Sequence, residues 1–117
     1  MRKSYRVKKE AEFQKVFTQG KSCANKQFVV YMIEKPKQPH FRVGISVGKK
    51  IGNAVSRNRS RRVIRAAYSV LEPSIVGSWD FVFVARSKTS RVKMQNVLED
   101  MKKHFTALGV IDDKNIS

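Results

Sequence analysis

Residues 53–62, NAVSRNRSRR, crowd Arg57, Arg59, Arg61 and Arg62 into one short stretch, and Arg65 follows a turn later. A guanidinium presents a planar fork of donors that meets two phosphate oxygens at once, so arginines repeated at this spacing suit the regular charges of a nucleic-acid backbone. At about 100° per residue on a helix, Arg57, Asn58, Arg61, Arg62 and Arg65 share an arc of about 140°. Arg59 departs from that arc and projects towards the edge of the opposite, apolar half. Lys49 and Lys50 stand just before the helix and extend the basic surface.

Chemistry that would let the chain cut a phosphodiester by itself is not visible. A self-sufficient nuclease needs a general base, a carboxylate cluster for metal or a histidine pair. His40 lies in a proline-bearing turn and His104 near the C-terminus, without metal-ligand spacing, and both are expected at the surface. Asp80 stands alone in an apolar run, and Glu99 with Asp100 suits a solvated helix face. Cys23 is the only cysteine, so an internal disulfide and a cysteine-based zinc site are excluded; it is expected to be a small, partly buried thiol. GKKIGNAV lacks the spacing of a phosphate-binding Walker loop.

The rest of the chain must position the arginines. Its 117 residues, 41% hydrophobic and 29% charged, suffice for one domain, residues 1–117, with a single core. Lys and Arg number 25 against nine Asp and Glu, giving +16, and no acidic residue occurs between Glu34 and Glu72. Salt bridges within the chain can therefore neutralise only part of that interval, and a polyanion is the expected partner. No run of about eighteen apolar residues occurs, which fits a soluble, cytoplasmic protein with no membrane partner.

Hydrophobic periodicity supplies the elements. Phe13, Val16 and Phe17 at i, i+3 and i+4 predict a helix over about 9–19, stopped by Gly20. QFVVYMI (27–33) and FRVGISV (41–47) read as strands, and the Pro36- and Pro39-bearing connection as a hairpin or wide turn. Asn53 is a natural N-cap for a helix running to about Leu71 and stopped by Pro73, with Val55, Val63, Ile64, Ala66, Ala67, Val70 and Leu71 on its apolar half. WDFVFVA (79–85) is apolar enough for a strand buried on both faces. Met94, Val97, Leu98, Met101 and Phe105 mark a core-facing helix over about 91–106, and a tail over about 110–117 is expected to fray. The order α-β-β-α-β-α implies an α+β domain with helices layered on a sheet. Because a strand and basic loop precede the arginine helix, a helix-turn-helix DNA reader is disfavoured and no DNA partner is expected. Phe13, Phe17 and Tyr31 could stack on unpaired bases, yet Phe13 and Phe17 suit a core equally, and spacing alone leaves both readings open.

The run FRVGISVGKKIGNAVSRNRSRRVIRAAY, residues 41–68, resembles the signature of the bacterial ribonuclease P protein subunit. The family pattern is a strand ending in Lys-Lys, then an Ala-Val-x-Arg-Asn-x-x-Lys-Arg-x-x-Arg helix. Ala54, Val55, Arg57, Asn58, Arg62 and Arg65 match it, while Arg61 stands where lysine is usual and Ala66 where the family often carries an acidic residue. The likeness extends from KKEAEFQKVFTQGKS to Arg86. It implies an α-β sandwich with a left-handed βαβ crossover, a catalytic RNA partner, and a holoenzyme that removes the 5′ leader of precursor tRNA using Mg²⁺ held mainly by RNA. By position, Phe13, Phe17, Val29 and Tyr31 would line a leader cleft, with Arg57, Asn58 and Arg65 near its edge. Lys49, Lys50, Arg59, Arg61 and Arg62 would contact RNA backbone. The alternative is a structural RNA binder of ribosome or ribonucleoprotein assembly with no part in tRNA processing.

Overall fold

The computed structural model describes residues 6–7, 10–36, 38, 40–86 and 93–111. Helix α1 (Glu10–Gln19) leads into strands β1 (Lys21–Ala24), β2 (Phe28–Glu34) and β3 (Arg42–Ser46). A 3-10 turn, Lys49–Ile51, precedes α2 (Ala54–Leu71), and strand β4 (Trp79–Ala85) and helix α3 (Met94–Ala107) complete the order. The four strands lie in the order β1-β2-β4-β3. β2 pairs antiparallel with β1 and β4, whereas β3 and β4 run parallel and are joined through α2 as a βαβ unit.

One expectation narrows here and one strand is added. β4 lies between β2 and β3, so of the two readings of the Pro36-bearing connection the wide turn holds, spanning across a strand, and the hairpin does not. Strand β1, KSCA, was not expected: it is short and largely exposed, and its backbone pairing with β2 defines it where side-chain periodicity does not.

Alternation along the strands gives the sheet two unequal faces. Phe28, Val30 and Met32 of β2 with Phe81 and Phe83 of β4 pack against Val63, Ile64, Ala67, Tyr68 and Leu71 of α2 and Val97, Met101 and Phe105 of α3. On the opposite face, Val82 is fully buried and α1 contributes fully buried Val16. β4 is thus buried on both faces along its centre, as its composition predicts.

Asn53 caps α2 as expected, its side chain accepting from the Ser56 amide at 3.0 Å. The buried stripe of α2 is narrower than the wheel predicts. Val55 is 73% exposed, Val70 is 55% exposed and Ala66 is exposed as well, while Ser60 and Tyr68 are buried. One seam against the sheet and α3 decides burial, and Ser60 tolerates it because its hydroxyl donates to the Ser56 carbonyl at 3.0 Å.

α3 begins at Met94; residues 91 and 92, included in the expected helix, lie outside the described residues. Val110 and Ile111 are buried, not frayed: Val110 accepts from the Val76 amide at 2.8 Å and Ile111 bridges Ile75. Residues 112–117 of the expected tail lie outside the described residues. No helix among the described residues is long and apolar enough to cross a membrane.

Candidate nucleic-acid interface

α1 crosses the sheet face opposite α2 and α3, and two glycines let it lie close. A Cβ on Gly20 would sit 2.5 Å from the Met32 and Val16 carbonyl oxygens, so only glycine fits where α1 turns into β1. A Cβ on Gly44 would meet the Phe13 ring at 2.8 Å; without it, the ring rests on the backbone of β3. Phe13 and Phe17 then stand 6.4 Å apart, and Phe17 meets Tyr31 edge-on at 4.8 Å. All three rings are half-buried, as is Val29, which shares Tyr31's face of β2 two residues away. The register continues this face through Ala24, Val29, Val84 and Ser46, a row spanning about 14 Å at about 4.8 Å per strand. Ala24 and Ser46 are exposed, so the row is an open floor beside an aromatic wall.

The arginine helix borders this floor beyond β3. Arg57, Arg61 and Arg65 recur at four-residue steps along the flank nearest the buried stripe, and Arg57 and Arg61 are half-buried. Arg61 donates to Asn58 Oδ1 at 3.2 Å. The Arg57 Nε–H is buried with no acceptor among the described residues. A cavity of about 210 Å³ lies between α1, β3 and α2, where Phe13 and Gly44 meet Arg61 and Arg65.

The structure therefore brings Phe13, Phe17, Tyr31 and Val29 onto one surface with Arg61 and Arg65 at its border. Arg61, which the resemblance assigned to RNA backbone contact, stands on the groove side. Exposed Lys49 and Lys50 occupy the turn leading into α2. Arg59 is exposed on the flank carrying Val55, Ala66 and Val70; since that flank is solvated, Arg59 does not reach along a core. Arg62 is exposed on the outer face.

One polar cluster escapes sequence reasoning. Asp80 is fully buried, but not alone: Arg42 grips both its oxygens, Nε to Oδ1 at 3.0 Å and Nη2 to Oδ2 at 2.7 Å. Gln38 donates to Oδ1 at 3.0 Å and Lys35 stands 3.6 Å from Oδ2. Burial alone would raise the Asp80 pKa, but hydrogen bonds from Arg42 and Gln38, with the charges of Arg42 and Lys35, hold it below the ordinary carboxylate value. Arg42 also forms an ion pair with Glu12, pinning α1 to the sheet one residue before Phe13. Only a long-range pairing of strand and helix residues creates this cluster, so no local signal announces it.

Neither histidine is a free surface group. His40 Nδ1 donates to the Phe41 carbonyl at 2.8 Å, and half-buried His104 meets Asn25 Nδ2 through Nε2 at 3.0 Å. Burial lowers the His104 pKa, opposed by the charge of Asp100. Among the described residues, no three His, Cys, Asp or Glu side chains group to hold a metal ion.

Fold and site together describe a basic α+β protein that sets an arginine-bearing helix beside an aromatic groove, an arrangement of the RNA-binding class. The family profile described as Ribonuclease P matches residues 1–109, and the chain belongs to that family. It is 63% identical over 102 residues to the ribonuclease P protein component of Ligilactobacillus salivarius (strain UCC118), covering 87% of this chain and 90% of that one. Against the Levilactobacillus brevis (strain ATCC 367) protein component it is 51% identical over 117 residues, 100% of this chain and 98% of the other. Among solved structures, the Staphylococcus aureus RNase P protein superposes with a TM-score of 0.81 at 37% identity, covering 92% of this chain and 98% of that one. The Thermotoga maritima RNase P protein gives 0.76 at 29% identity, with 87% and 96% covered.

Proposed function

We propose that the chain acts in ribonuclease P by holding the single-stranded 5′ leader of precursor tRNA in the groove, while basic residues around α2 engage the catalytic RNA. Its family gives it a subunit role in the maturation of tRNA 5′ ends. The observation that supports the leader assignment is the continuous contact of Phe13, Phe17 and Tyr31 beside an open sheet row and next to Arg61 and Arg65. Unpaired bases stack on such rings whatever their identity, and guanidinium groups follow the intervening phosphates.

The acidic side chains fit this division of labour. Asp80 and Glu12 are engaged by Arg42, and Mg²⁺ is assigned to the RNA and the substrate, as the family resemblance implies. The protein's contribution is to screen phosphate repulsion between the two RNAs and to favour precursor over product. Adding the protein to its catalytic RNA should tighten precursor binding and lower the Mg²⁺ needed for cleavage. If neither changes, the reading fails; a structural RNA binder would instead hold precursor and mature tRNA equally. Arg62→Ala should weaken binding to structured RNA and flatten the log–log salt dependence by about 0.7 to 0.9 for one lost phosphate contact.

A further inference from the structure

The cavity at the β3 end of the groove has a third cationic wall beside Arg61 and Arg65. Arg6 lines it, supplied by the segment that precedes α1. That segment is fastened by its backbone: the Val7 amide donates to the Val43 carbonyl at 3.1 Å, and Arg6 forms a parallel bridge with Val43. Val7 is buried, so the position of Arg6 against the edge of β3 is set by main-chain pairing and by packing of its neighbour. Three arginines from two separate elements thus line one cavity, and among the described residues no carboxylate lines it.

Like charges gathered around a confined space repel unless an anion joins them. The cavity holds about 210 Å³, room for several waters at about 30 Å³ each, which a phosphate group can displace. Phe13 belongs both to this cavity and to the aromatic wall, so a strand lying along the groove runs directly into it. We propose that Arg6, Arg61 and Arg65 form a subsite for one backbone phosphate of the leader, with the adjoining base against Phe13. This rests on the leader reading of the groove and adds a contact from outside the arginine helix, one that makes Arg6 a determinant of how far along the leader the protein grips.

The test uses the reconstituted holoenzyme and precursor tRNAs whose leaders lengthen one nucleotide at a time. With wild-type protein, affinity should rise with leader length and then level off. Arg6→Ala should remove the last step of that rise, a loss of roughly 10-fold, as expected for a charge-assisted contact. Its salt slope on long leaders should fall by about 0.7, and binding of mature tRNA and of the shortest leaders should be unchanged. Arg6→Lys, which keeps the charge without the fork, should restore part of the step, and Arg65→Lys should weaken the same step independently of the N-terminal segment. A loss of equal size at every leader length, or an unaltered length profile in both Arg6→Ala and Arg65→Lys, overturns the subsite. If wild-type protein itself shows no dependence on the leader, the groove reading falls, which is a different result from a subsite failing within a working groove.

Discussion

Tyr68 carries a hydroxyl into the core of the molecule, where its ring meets Phe41, Phe81, Phe83 and Phe105 and the oxygen finds no partner among the described residues. Burial raises its pKa far above the ordinary phenol value, so it stays neutral in the working range. An unsatisfied buried hydroxyl costs about 1 to 3 kcal/mol, and Tyr68→Phe should therefore keep or raise stability, by about 1 kcal/mol in urea titrations. A clear loss would show that the hydroxyl has a partner. His104 gives a pH signature. Its neutral form accepts from Asn25, and its folded pKa lies below the unfolded value of about 6.5. Between those two values the unfolded chain binds more protons, so stability is full above about pH 6.5 and declines as pH falls through the folded pKa. Urea midpoints between neutral and mildly acidic pH should fall for the wild type and flatten in His104→Gln. Neither behaviour was legible in the sequence: Tyr68 lay outside the expected apolar half of its helix, and His104's partner is 79 positions away.

At the scale of elements, the angle of α1 decides whether Phe13 and Phe17 form a wall or a plug. Gly44, beneath the Phe13 ring, and Arg42, through Glu12, hold that angle from the same face of β3. Gly44→Ala would drive a methyl into the Phe13 ring, and overpacking of this kind costs about 1 to 3 kcal/mol. The folded variant should lose preference for precursor over mature tRNA while keeping its affinity for the catalytic RNA, measured by direct binding of each. Asp80→Asn leaves Arg42 and Lys35 without their buried anion, a change of about 3 to 5 kcal/mol by chemical denaturation. Periodicity found α1, β2, β3, α2, β4 and α3, because each has a strong apolar pattern. It missed β1, whose polar edge residues are held by backbone pairing, and the insertion of β4 between β2 and β3, because pairing order is a long-range property. The wheel of α2 separated charge from core but overestimated the buried arc, since helix packing buries one narrow seam.

For the molecule as a whole, a formal charge of +16 sits on a fold whose described ion pairs gather around Arg42 and Asp80. Self-repulsion favours the expanded chain, and anions that bind the folded form oppose it. Sulfate or phosphate should raise the thermal midpoint more than chloride at equal ionic strength, because screening alone depends only on ionic strength. The aromatic residues of the groove were legible as candidates from their types, and the family signature placed them together; the contribution of Arg6 came only from the fold, since the basic N-terminal segment has no periodic pattern to mark it. The groove's purpose is tested most directly by the ratio of holoenzyme affinities for precursor and mature tRNA, measured with wild-type protein and with Tyr31→Ala. One lost base–aromatic contact is worth about 1 to 3 kcal/mol, so the ratio should drop at least about fivefold in Tyr31→Ala, through weaker precursor binding alone. A ratio that stays the same, or a loss shared equally by mature tRNA, would contradict a leader held on the aromatic wall.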